Sequence, residues 1–479
     1  MKKLAIIGIT FLLLGLILMP HLNVETAKAS TIKGILDEKV QTLLETSIEP
    51  VEVIITFNSD AGISENEKSI LRNVGITKGV IFESLPMVGT VVTKSDVDRL
   101  LQQDEVLSIY YNEPVSFENS DSTDLTGVNR VRNDATFRQL NGGLPITGKN
   151  IGVVVNDSGV DGTHKDIQFG RTLIQNVLAS INLNSLSALL PITYLENVPN
   201  TDSHSGHGTH VAGTVAGNGA LSGGKYEGVA PGAKLIGYGS GAAVAMLDTL
   251  GGFDYALTHQ QEYNIRIITN SWGATSDSGT DFDPIHPINI ATKKLFDRGI
   301  ITVFSAGNSG PNESTISGNY KKAPWVITVA AGDKSGNLAN FSSRGVKGNG
   351  GTVTVDGEQY TWEDRPTVTA PGVDIISTRV ISPLVLLGAT KDLEYISIGH
   401  LPYYTTMSGT SMAAPHVAGI IALLLEANPN LNALEIKDIL QKTASPMENR
   451  EAWEVGTGYV NAYDAVELAF KYDQRKQKK

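Results

Sequence analysis

The sequence predicts an α/β fold, with helices on both faces of a parallel sheet, preceded by a small α+β domain. Two observations predict it. After Gly148, short apolar runs rich in β-branched residues alternate with helical stretches, which is typical of a parallel sheet buried on both sides. Between residues 51 and 111, the order strand, helix, strand, strand, helix, strand indicates a separate compact unit. The chain has 479 residues, 41% of them hydrophobic, which is enough for both cores.

The amino terminus predicts export. Lys2 and Lys3 precede an apolar run from Leu4 to Met19, and Ala27-Lys28-Ala29 offers small residues where a signal peptidase cuts. We therefore expect a signal peptide over residues 1–29. The alternative is an uncleaved membrane anchor, although the apolar run is short for a membrane span.

The composition excludes several classes of protein. The chain contains no cysteine, which excludes a disulfide scaffold, thiolate catalysis and cysteine-ligated zinc. Its formal net charge of −12 argues against nucleic acid as a partner. We expect a secreted protein, extracellular or at the cell surface, with no membrane partner once the signal is removed.

Residues 30–117 are predicted to form the small domain. Its strand and helix order is ferredoxin-like, and an unrelated small α+β domain is the alternative. A polar stretch, Glu118–Asp124, opens the connector over residues 118–148 and is a candidate for cleavage. The predicted elements are strands at Val51–Phe57 and Val106–Tyr111, two strands within Val80–Val92, and helices at Ser64–Val74 and Lys94–Gln103.

Residues 149–470 are predicted to form the larger domain, followed by a charged tail at 471–479. The run Val417–Leu425 is apolar on all sides and predicts a buried helix. Asn432 with Glu435 predicts a capping box at the start of the next helix. The predicted strands are Ile151–Asn156, Leu235–Tyr238, Arg266–Asn270, Ile300–Ser305 and Trp325–Ala330.

Three motifs carry catalytic residue types in the order Asp, His, Ser. Asp157 lies in IGVVVNDSG, His207 in HSGHGTHVAGT and Ser411 in SGTSMAAPHVAG. A carboxylate at the carboxyl end of a parallel strand points into the crevice where α/β proteins bind ligands, which favours Asp157. Asp161 and Asp166 are nearby alternatives that lie beyond the strand.

Each motif also has a competing interpretation. His207 and His210 could pair on a metal, but their spacing is three residues and the glutamate of a zinc-protease motif is missing. A serine in a glycine-rich turn is usually ordinary, and only the whole string around Ser411 makes it specific. Asn308, in SAGNSG, offers an amide for a developing oxyanion, but such a string is also a common turn.

Together these strings resemble the subtilisin-like serine peptidases (subtilases, peptidase family S8). The resemblance implies a subtilisin-like parallel sheet and a Ser-His-Asp triad that acts through an acyl-enzyme. It assigns Ser411 as nucleophile, His207 as general base and Asp157 as the residue that orients it, with Asn308 binding the oxyanion. It also implies that the small domain is a propeptide that assists folding and inhibits the cleft, so that the protein is a self-processing zymogen.

The resemblance further implies substrate and metal residues. Ser271-Trp272-Gly273 and Gly239-Ser240-Gly241 resemble the two strands that pair with an extended peptide substrate. Asp166 matches a family calcium ligand, but the loop Gly217–Gly228, which would supply the other ligands, differs from the calcium-binding version. Catalysis needs no cofactor, and a structural calcium ion elsewhere remains open.

The chain departs from the family pattern at several places. Asn156 precedes the aspartate where the family has an apolar residue. Segment 167–200 is long and contains Leu186, Leu189, Leu190 and Ile192, and a hairpin is expected at Thr352–Trp362, within segment 348–364. Segment 380–404 is apolar at Val385, Leu386 and Leu387, and either walls the cleft or is a surface loop.

The leading hypothesis is therefore a secreted endopeptidase that acts on proteins or peptides and carries its own propeptide as an inhibitor. A narrow processing protease for one secreted partner is the first alternative. A catalytically inactive peptide-binding protein on the same fold is the second, and it is disfavoured because all four chemical groups are present. A lipase is disfavoured because the GxSxG elbow is missing.

Overall fold

The computed structural model describes most of the chain after residue 33. The predicted signal peptide, residues 1–29, lies outside the described residues. So do residues 118–122 of the connector, 382–390 with the apolar Val385, Leu386 and Leu387, and 477–479 of the tail. The described residues are 34–46, 49–59, 62–112, 114–117, 123–179, 183, 186–241, 244–381 and 391–476.

The part of the chain up to residue 148 contains the predicted small α+β unit. All six predicted elements are present, and a short strand and a helix precede them. Capping boxes begin two of the helices, at Ser64 with Glu67 and at Thr93 with Asp96. The elements are β1 Ile35–Leu36, α1 Glu38–Thr46, β2 Val51–Phe57, α2 Glu65–Asn73, β3 Gly79–Ile81, β4 Met87–Val92, α3 Lys94–Leu100, β5 Val106–Tyr111, β6 Pro114–Phe117, α4 Val128–Asn133 and α5 Ala135–Leu140.

The larger part contains each predicted strand and the predicted buried helix. The strand and helix bounds are β7 Gly152–Asp157, β8 Leu173–Leu178, β9 Leu189–Pro191, α6 His207–Ala216, β10 Lys234–Gly239, β11 Val244–Ala245, α7 Met246–Thr258, β12 Ile265–Asn270, β13 Trp272–Gly273, α8 Pro287–Asp297, β14 Ile301–Ser305, β15 Ile327–Gly332, β16 Gly350–Val355, β17 Glu358–Glu363, β18 Val368–Pro371, β19 Ile375–Thr378, α9 Asp392–Tyr395, β20 Tyr404–Met407, α10 Thr410–Ala427, α11 Ala433–Thr443, α12 Ala452–Val455 and α13 Ala462–Lys476.

The central sheet has seven strands in the order β18-β15-β14-β12-β7-β10-β8. All its pairings are parallel. The chain winds from β7 toward β8 and β10 on one side, and then toward β12, β14, β15 and β18 on the other. The strand order therefore reverses at β7, and a crevice is expected at the carboxyl ends of β7 and β12.

Helices cover both faces of this sheet, as the sequence predicts. Val153 and Val155 of β7 face one core, which contains the apolar residues of α6 and α10. Val154 faces the other core, which contains the apolar residues of α7 and α8. The alternation explains why β7 is apolar at successive positions, since both of its faces are buried.

The small domain has its own core and also shares one with the larger part. Its sheet has the order β1-β5-β2-β4-β3-β9, so that a strand from the larger part completes it. Val53 and Ile55 of β2 face the small domain's own helices. Ile54, between them, faces the core that contains α7. The sheet therefore packs its helices on one face and the larger part on the other.

The later elements also follow the sequence. Strands β16 and β17 form the predicted hairpin, and Asp356 and Gly357 at its turn have φ values of 51° and 80°. The capping box at Asn432 and Glu435 begins α11 as predicted. Helix α10 is long and apolar enough to cross a membrane, but 89% of it is buried, as in the core helix of a soluble protein.

Candidate active site

Asp157 is the last residue of β7, at the carboxyl edge of the sheet where the strand order reverses. Its side chain is 1% exposed. The Oδ1 atom accepts a hydrogen bond from the Ser158 N–H at 2.8 Å and lies 2.6 Å from Nδ1 of His207. A carboxylate that accepts from Nδ1–H fixes the imidazole tautomer in which Nε2 is the proton acceptor. Asp157, rather than Asp161 or Asp166, therefore contacts the His207 ring.

His207 is the first residue of α6, and glycines on both sides let this helix begin against the β7 loop. Gly206 has a φ of 79°, a left-handed conformation that favours glycine. A Cβ on Gly208 would collide with the Gly159 carbonyl oxygen. The Gly208 N–H donates to Ser158 Oγ at 2.9 Å. The HGT string therefore sets the distance between the helix and the aspartate.

Asp202 supports the helix start and was not singled out from the sequence. Its Oδ1 accepts from the Gly206 N–H at 2.9 Å, and its Oδ2 accepts from the Thr209 N–H at 3.1 Å and hydroxyl at 2.7 Å. Burial raises the pKa of Asp202, and the nearby Asp157 carboxylate raises it further. The only signal in the sequence was an acidic residue five positions before His207.

His210, the second histidine of the motif, has a structural position. Its Nε2 lies 3.2 Å from the carbonyl oxygens of Ile375 and Thr405. Burial, together with the nearby His207, lowers the pKa of His210 to about 3. A neutral imidazole that donates to two carbonyls ties α6 to the β19–β20 hairpin.

Ser411 is the second residue of α10 and is fully buried. Its hydroxyl donates to the Ser271 carbonyl oxygen at 2.9 Å, and the Ser271 hydroxyl donates to the Ser411 carbonyl oxygen at 2.7 Å. Helices α6 and α10 pack directly against each other. The start of α10 is thus fixed at the carboxyl end of β12, beside β7 and its aspartate.

Asn308 follows β14 and is bound to the residue before Ser411. Its Oδ1 accepts from the Thr410 N–H at 2.9 Å and from the Thr410 hydroxyl at 3.2 Å. This arrangement directs the amide nitrogen, which is the donor, away from Thr410. Gly307 has a φ of 119°, and a Cβ there would lie 2.6 Å from Ser343 Oγ, so the turn before Asn308 requires glycine.

A peptide strand of the chain itself lies between two strands of the larger part. β6 pairs antiparallel with β11 on one side and with β13 on the other. Trp272 and Gly273, which the sequence singled out, are the residues of β13. Ser271 precedes them and holds Ser411. An extended backbone is therefore bound by β-augmentation next to Ser411.

The opposite strand differs from the one that the sequence singled out. Gly239 ends β10 in the central sheet, and the N–H groups of Ser240 and Gly241 donate to the carbonyls of Asp157 and Ser158 at 3.0 and 3.2 Å. The backbone that pairs with β6 belongs to Val244–Ala245. The sequence string around Gly239 could not specify that the pairing backbone begins a few residues later, at Val244.

Asp166 is bound by protein donors. Its Oδ1 accepts from the Leu221 N–H at 3.0 Å and its Oδ2 accepts from the Tyr404 hydroxyl at 2.5 Å. Among the described residues no group of three or more His, Cys, Asp or Glu side chains is arranged to hold a metal ion. Tyr404 comes from the long segment before the nucleophile, so that segment supplies a donor to the predicted calcium ligand.

Asn156, the departure from the family pattern, is accommodated within the fold. The residue is fully buried, and its Nδ2 donates to the Thr249 carbonyl at 3.1 Å and to Asn270 Oδ1 at 2.9 Å. Its own carbonyl accepts from the Trp272 indole N–H at 3.0 Å. It therefore ties β7 to β12 and α7, on the face of the sheet opposite α6.

Comparison with known proteins gives a consistent result. Residues 148–463 match the model of the subtilase family of peptidases. The serine protease AprX of Bacillus subtilis (strain 168) is 31% identical over 402 residues, which are 80% of each chain. Subtilisin E of the same organism is 30% identical over 332 residues, which are 67% of each chain.

Fervidolysin of Fervidobacterium pennivorans is similar in sequence and in fold. It is 34% identical over 326 residues, which are 65% of this chain and 40% of fervidolysin. The crystal structure of fervidolysin, described as a keratinolytic enzyme related to subtilisin, superposes with a TM-score of 0.60 at 22% identity, covering 91% of this chain and 63% of that chain. The fold is thus subtilisin-like, and the chain belongs to the subtilase family as a subtilisin-type serine protease.

Proposed function

We propose that the protein is a serine endopeptidase in which Ser411 attacks the scissile carbonyl and His207 takes the hydroxyl proton. Asp157 accepts from Nδ1–H and stabilises the imidazolium that forms. The observation that carries this proposal is the 2.6 Å contact between His207 Nδ1 and Asp157, together with Ser411 in the first turn of the helix that packs against α6. The same imidazolium returns the proton to the leaving amine, and water then hydrolyses the acyl-enzyme.

The oxyanion is bound by two donors in this proposal. The Ser411 N–H lies in the first turn of α10, where the N–H groups have no partner within the helix and the helix dipole is positive. The Asn308 amide nitrogen is the second donor, since its oxygen is held by Thr410. Donors fixed before the reaction stabilise the charged intermediate more than the neutral substrate.

We infer that residues 30–117 are an inhibitory propeptide and that the enzyme removes it. Strand β6 fills the position where the backbone of an extended substrate would pair with β11 and β13. The register sets Ser116 opposite Gly273 and Phe117 opposite Trp272, and Ser271 is the next residue of the larger part. Because Ser271 binds Ser411, this register supports a cut close after Phe117.

Location and specificity follow from the same proposal. A propeptide placed after an export signal keeps a secreted protease inactive until it has left the cell. Backbone pairing with β11 and β13 is tolerant of sequence, which favours proteins of many kinds as substrates. Structural calcium remains open, whereas the triad itself requires no metal.

The test compares the chain without residues 1–29 in wild-type and Ser411→Ala forms. Intact-protein mass spectrometry follows cleavage, and a casein assay follows activity. We expect the wild type to lose a fragment that ends close after Phe117 and then to degrade casein, while Ser411→Ala stays full length and inactive. A trace of mature wild type added to the Ser411→Ala chain tests cleavage between molecules.

Each outcome has a distinct meaning. A first-order cleavage rate that does not depend on chain concentration supports self-processing within one molecule. Equal processing of both forms contradicts self-processing and indicates another protease in the preparation. A folded, processed wild type that cleaves neither casein nor a mixed peptide library contradicts the endopeptidase proposal and favours a peptide-binding role.

A further inference from the structure

The small domain is completed by a strand that comes from the other part of the chain. Strand β9 lies in the segment between Asp157 and His207, and it pairs parallel with β3 at the outer edge of the small sheet. The Gly79 N–H donates to the Ala188 carbonyl at 3.1 Å, and the Ile192 N–H donates to the Ile81 carbonyl at 2.9 Å. The contact is therefore a ladder of backbone hydrogen bonds and not only apolar packing.

The side chains of this segment are most buried at its two ends and exposed between them. Leu189 is half-buried and packs against the small domain's own core. Leu190 is 44% exposed. Ile192 is 4% exposed and lies in the core shared with α7. The strand thus contacts the small domain through Leu189 while Ile192 anchors it to the larger part.

The same segment reaches a second point of contact. Asp254 of α7 accepts hydrogen bonds from the backbone N–H groups of Glu83 at 3.3 Å and Ser84 at 2.7 Å. The Tyr194 hydroxyl donates to Asp254 Oδ2 at 2.8 Å and so holds this carboxylate in place. Tyr194 lies two residues after Ile192. One short segment therefore supplies a strand and also orients the carboxylate that binds the loop after β3.

We propose that residues 186–194 are a docking strand that recognises the chain's own small domain and retains it after the connecting peptide is cut. This inference rests on the proposed role of the small domain as an inhibitor. An open strand edge binds another strand through its backbone, and specificity comes from the side chains at alternate positions. β6 binds between β11 and β13, whereas the docking strand binds at the β3 edge of the small domain's own sheet.

The docking strand makes inhibition selective for this small domain. Its partner must present an open edge strand in parallel orientation. Gly79 of β3 lets the docking strand approach closely, since a Cβ there would lie 3.3 Å from Leu189 Cδ2. A foreign inhibitor that packs only on the helices of the larger part would lack these contacts. When the small domain leaves, the β9 edge opens to solvent.

Two substitutions in the full chain without residues 1–29 test this proposal. Leu189→Asp puts a carboxylate against the small domain's core, and Leu190→Asp puts the same group on the exposed side of the same strand. The readout is a lag time: the delay between cleavage of the connecting peptide and the rise of casein hydrolysis. Mass spectrometry follows the cleavage, and the lag is measured at a series of tenfold dilutions. Because a carboxylate is poorly tolerated against apolar side chains, we expect Leu189→Asp to shorten the lag about tenfold or more. Leu190→Asp should behave as wild type.

Hydrogen exchange gives a second measurement that needs no substitution in the strand. The Ile192 amide should be protected in the full-length Ser411→Ala chain. It should exchange at least about tenfold faster in mature enzyme that a serine-directed fluorophosphonate has inactivated and from which the small domain has been separated. This comparison remains decisive if Leu189→Asp does not fold.

The outcomes separate this proposal from the one it rests on. Equal lags for Leu189→Asp and Leu190→Asp, or unchanged protection of Ile192 after separation, would overturn the docking strand while leaving self-processing intact. Absence of cleavage, or of any lag, in the wild type contradicts the inhibitory propeptide itself. In that case the exchange of Ile192 in the full-length Ser411→Ala chain still reports whether the β3–β9 pairing forms.

Discussion

The two ends of the Asn308 amide have different roles in the proposed mechanism. Its oxygen is bound to Thr410, and that contact fixes the nitrogen that would bind the oxyanion. An Asn308→Leu variant should lower kcat by about 10²–10³-fold with little change in KM, since the donor acts on the intermediate and not on the bound substrate. The figure is the one known for the equivalent asparagine of subtilisin and is carried over to this chain.

The measurement is steady-state hydrolysis of a chromogenic peptide by the processed variant. Thr410→Val is the matched comparison, because it keeps the amide donor and removes only the hydroxyl that positions it. We expect its loss of kcat to be smaller than that of Asn308→Leu. A loss for Asn308→Leu that falls below tenfold, or that lies mainly in KM, would count against an oxyanion role.

Single residues could be identified from sequence where an unbroken string carries the chemistry. Asp157 and His207 were paired by motif, and the structure brings their side chains to 2.6 Å. Asp202 could not be found in this way, because its role arises from two N–H groups and a hydroxyl that only the folded helix start brings together. Val244–Ala245 were missed for the same reason, since strand pairing across the cleft is a long-range property.

At the scale of elements, local capping governs where helix α11 begins. The Asn432 side chain accepts from the Glu435 N–H at 3.0 Å, and the Glu435 carboxylate accepts from the Asn432 N–H at 3.0 Å. Replacing Asn432 with Ala should cost about 1 kcal/mol of helix stability. Hydrogen exchange at the first turn of α11 should then be about fivefold faster, because that free energy is a factor of about five in a local opening equilibrium.

Asn432→Asp is the control for this prediction, because it keeps an oxygen that can accept from the N–H of residue 435. Exchange in Asn432→Asp should stay close to that of the parent chain, and both variants are best studied in the Ser411→Ala background. Equal exchange in Asn432→Ala and the parent would mean that packing of Ile436 and Ile439 alone sets the helix start.

Elements were predictable in proportion to their length and to the strength of their local pattern. Five strands of the central sheet and the hairpin β16–β17 lie within a few residues of their predicted bounds, because period and turn residues are local signals. Strands β8 and β18 of the same sheet were not predicted. Strand β9 has three residues and no periodicity of its own. It becomes a strand only because β3 presents an open edge about 110 residues earlier in the chain.

At the scale of the whole molecule, one apolar core joins the small sheet to α7 and α8. The sequence predicted two domains but not this shared core. Val53 and Ile54 are both apolar, and the linear pattern does not show that they face different cores. The continuity of the core explains how the small domain is held against the larger part. The larger part also contains buried histidines, and these affect how the stability of the protein depends on pH.

His210 and His416 are buried, and burial lowers the pKa of each to about 3. An unfolded histidine has a pKa of about 6.5, so each group binds a proton more readily in the unfolded chain. Their contribution to stability is therefore complete above pH ~6.5 and is lost as the pH falls toward about 3. The loss is about 1.4 kcal/mol per pH unit for each group, so the thermal midpoint of the Ser411→Ala chain should fall steeply below pH 6.

Two buried carboxylates change the stability with pH in the opposite direction, and they do so in a different pH range. Burial raises the pKa values of Asp202 and Asp254, so their penalty grows as the pH rises from ~3.8 through the folded pKa. His416→Gln separates the two effects, since its ring lies 2.9 Å from the Thr126 hydroxyl and touches no catalytic residue. In the Ser411→Ala background, this variant should have a lower thermal midpoint than the parent at pH 8. Its midpoint should, however, fall less than that of the parent between pH 6 and pH 4.5. A pH slope identical to the parent would mean that protonation of His416 does not contribute to the loss of stability in acid.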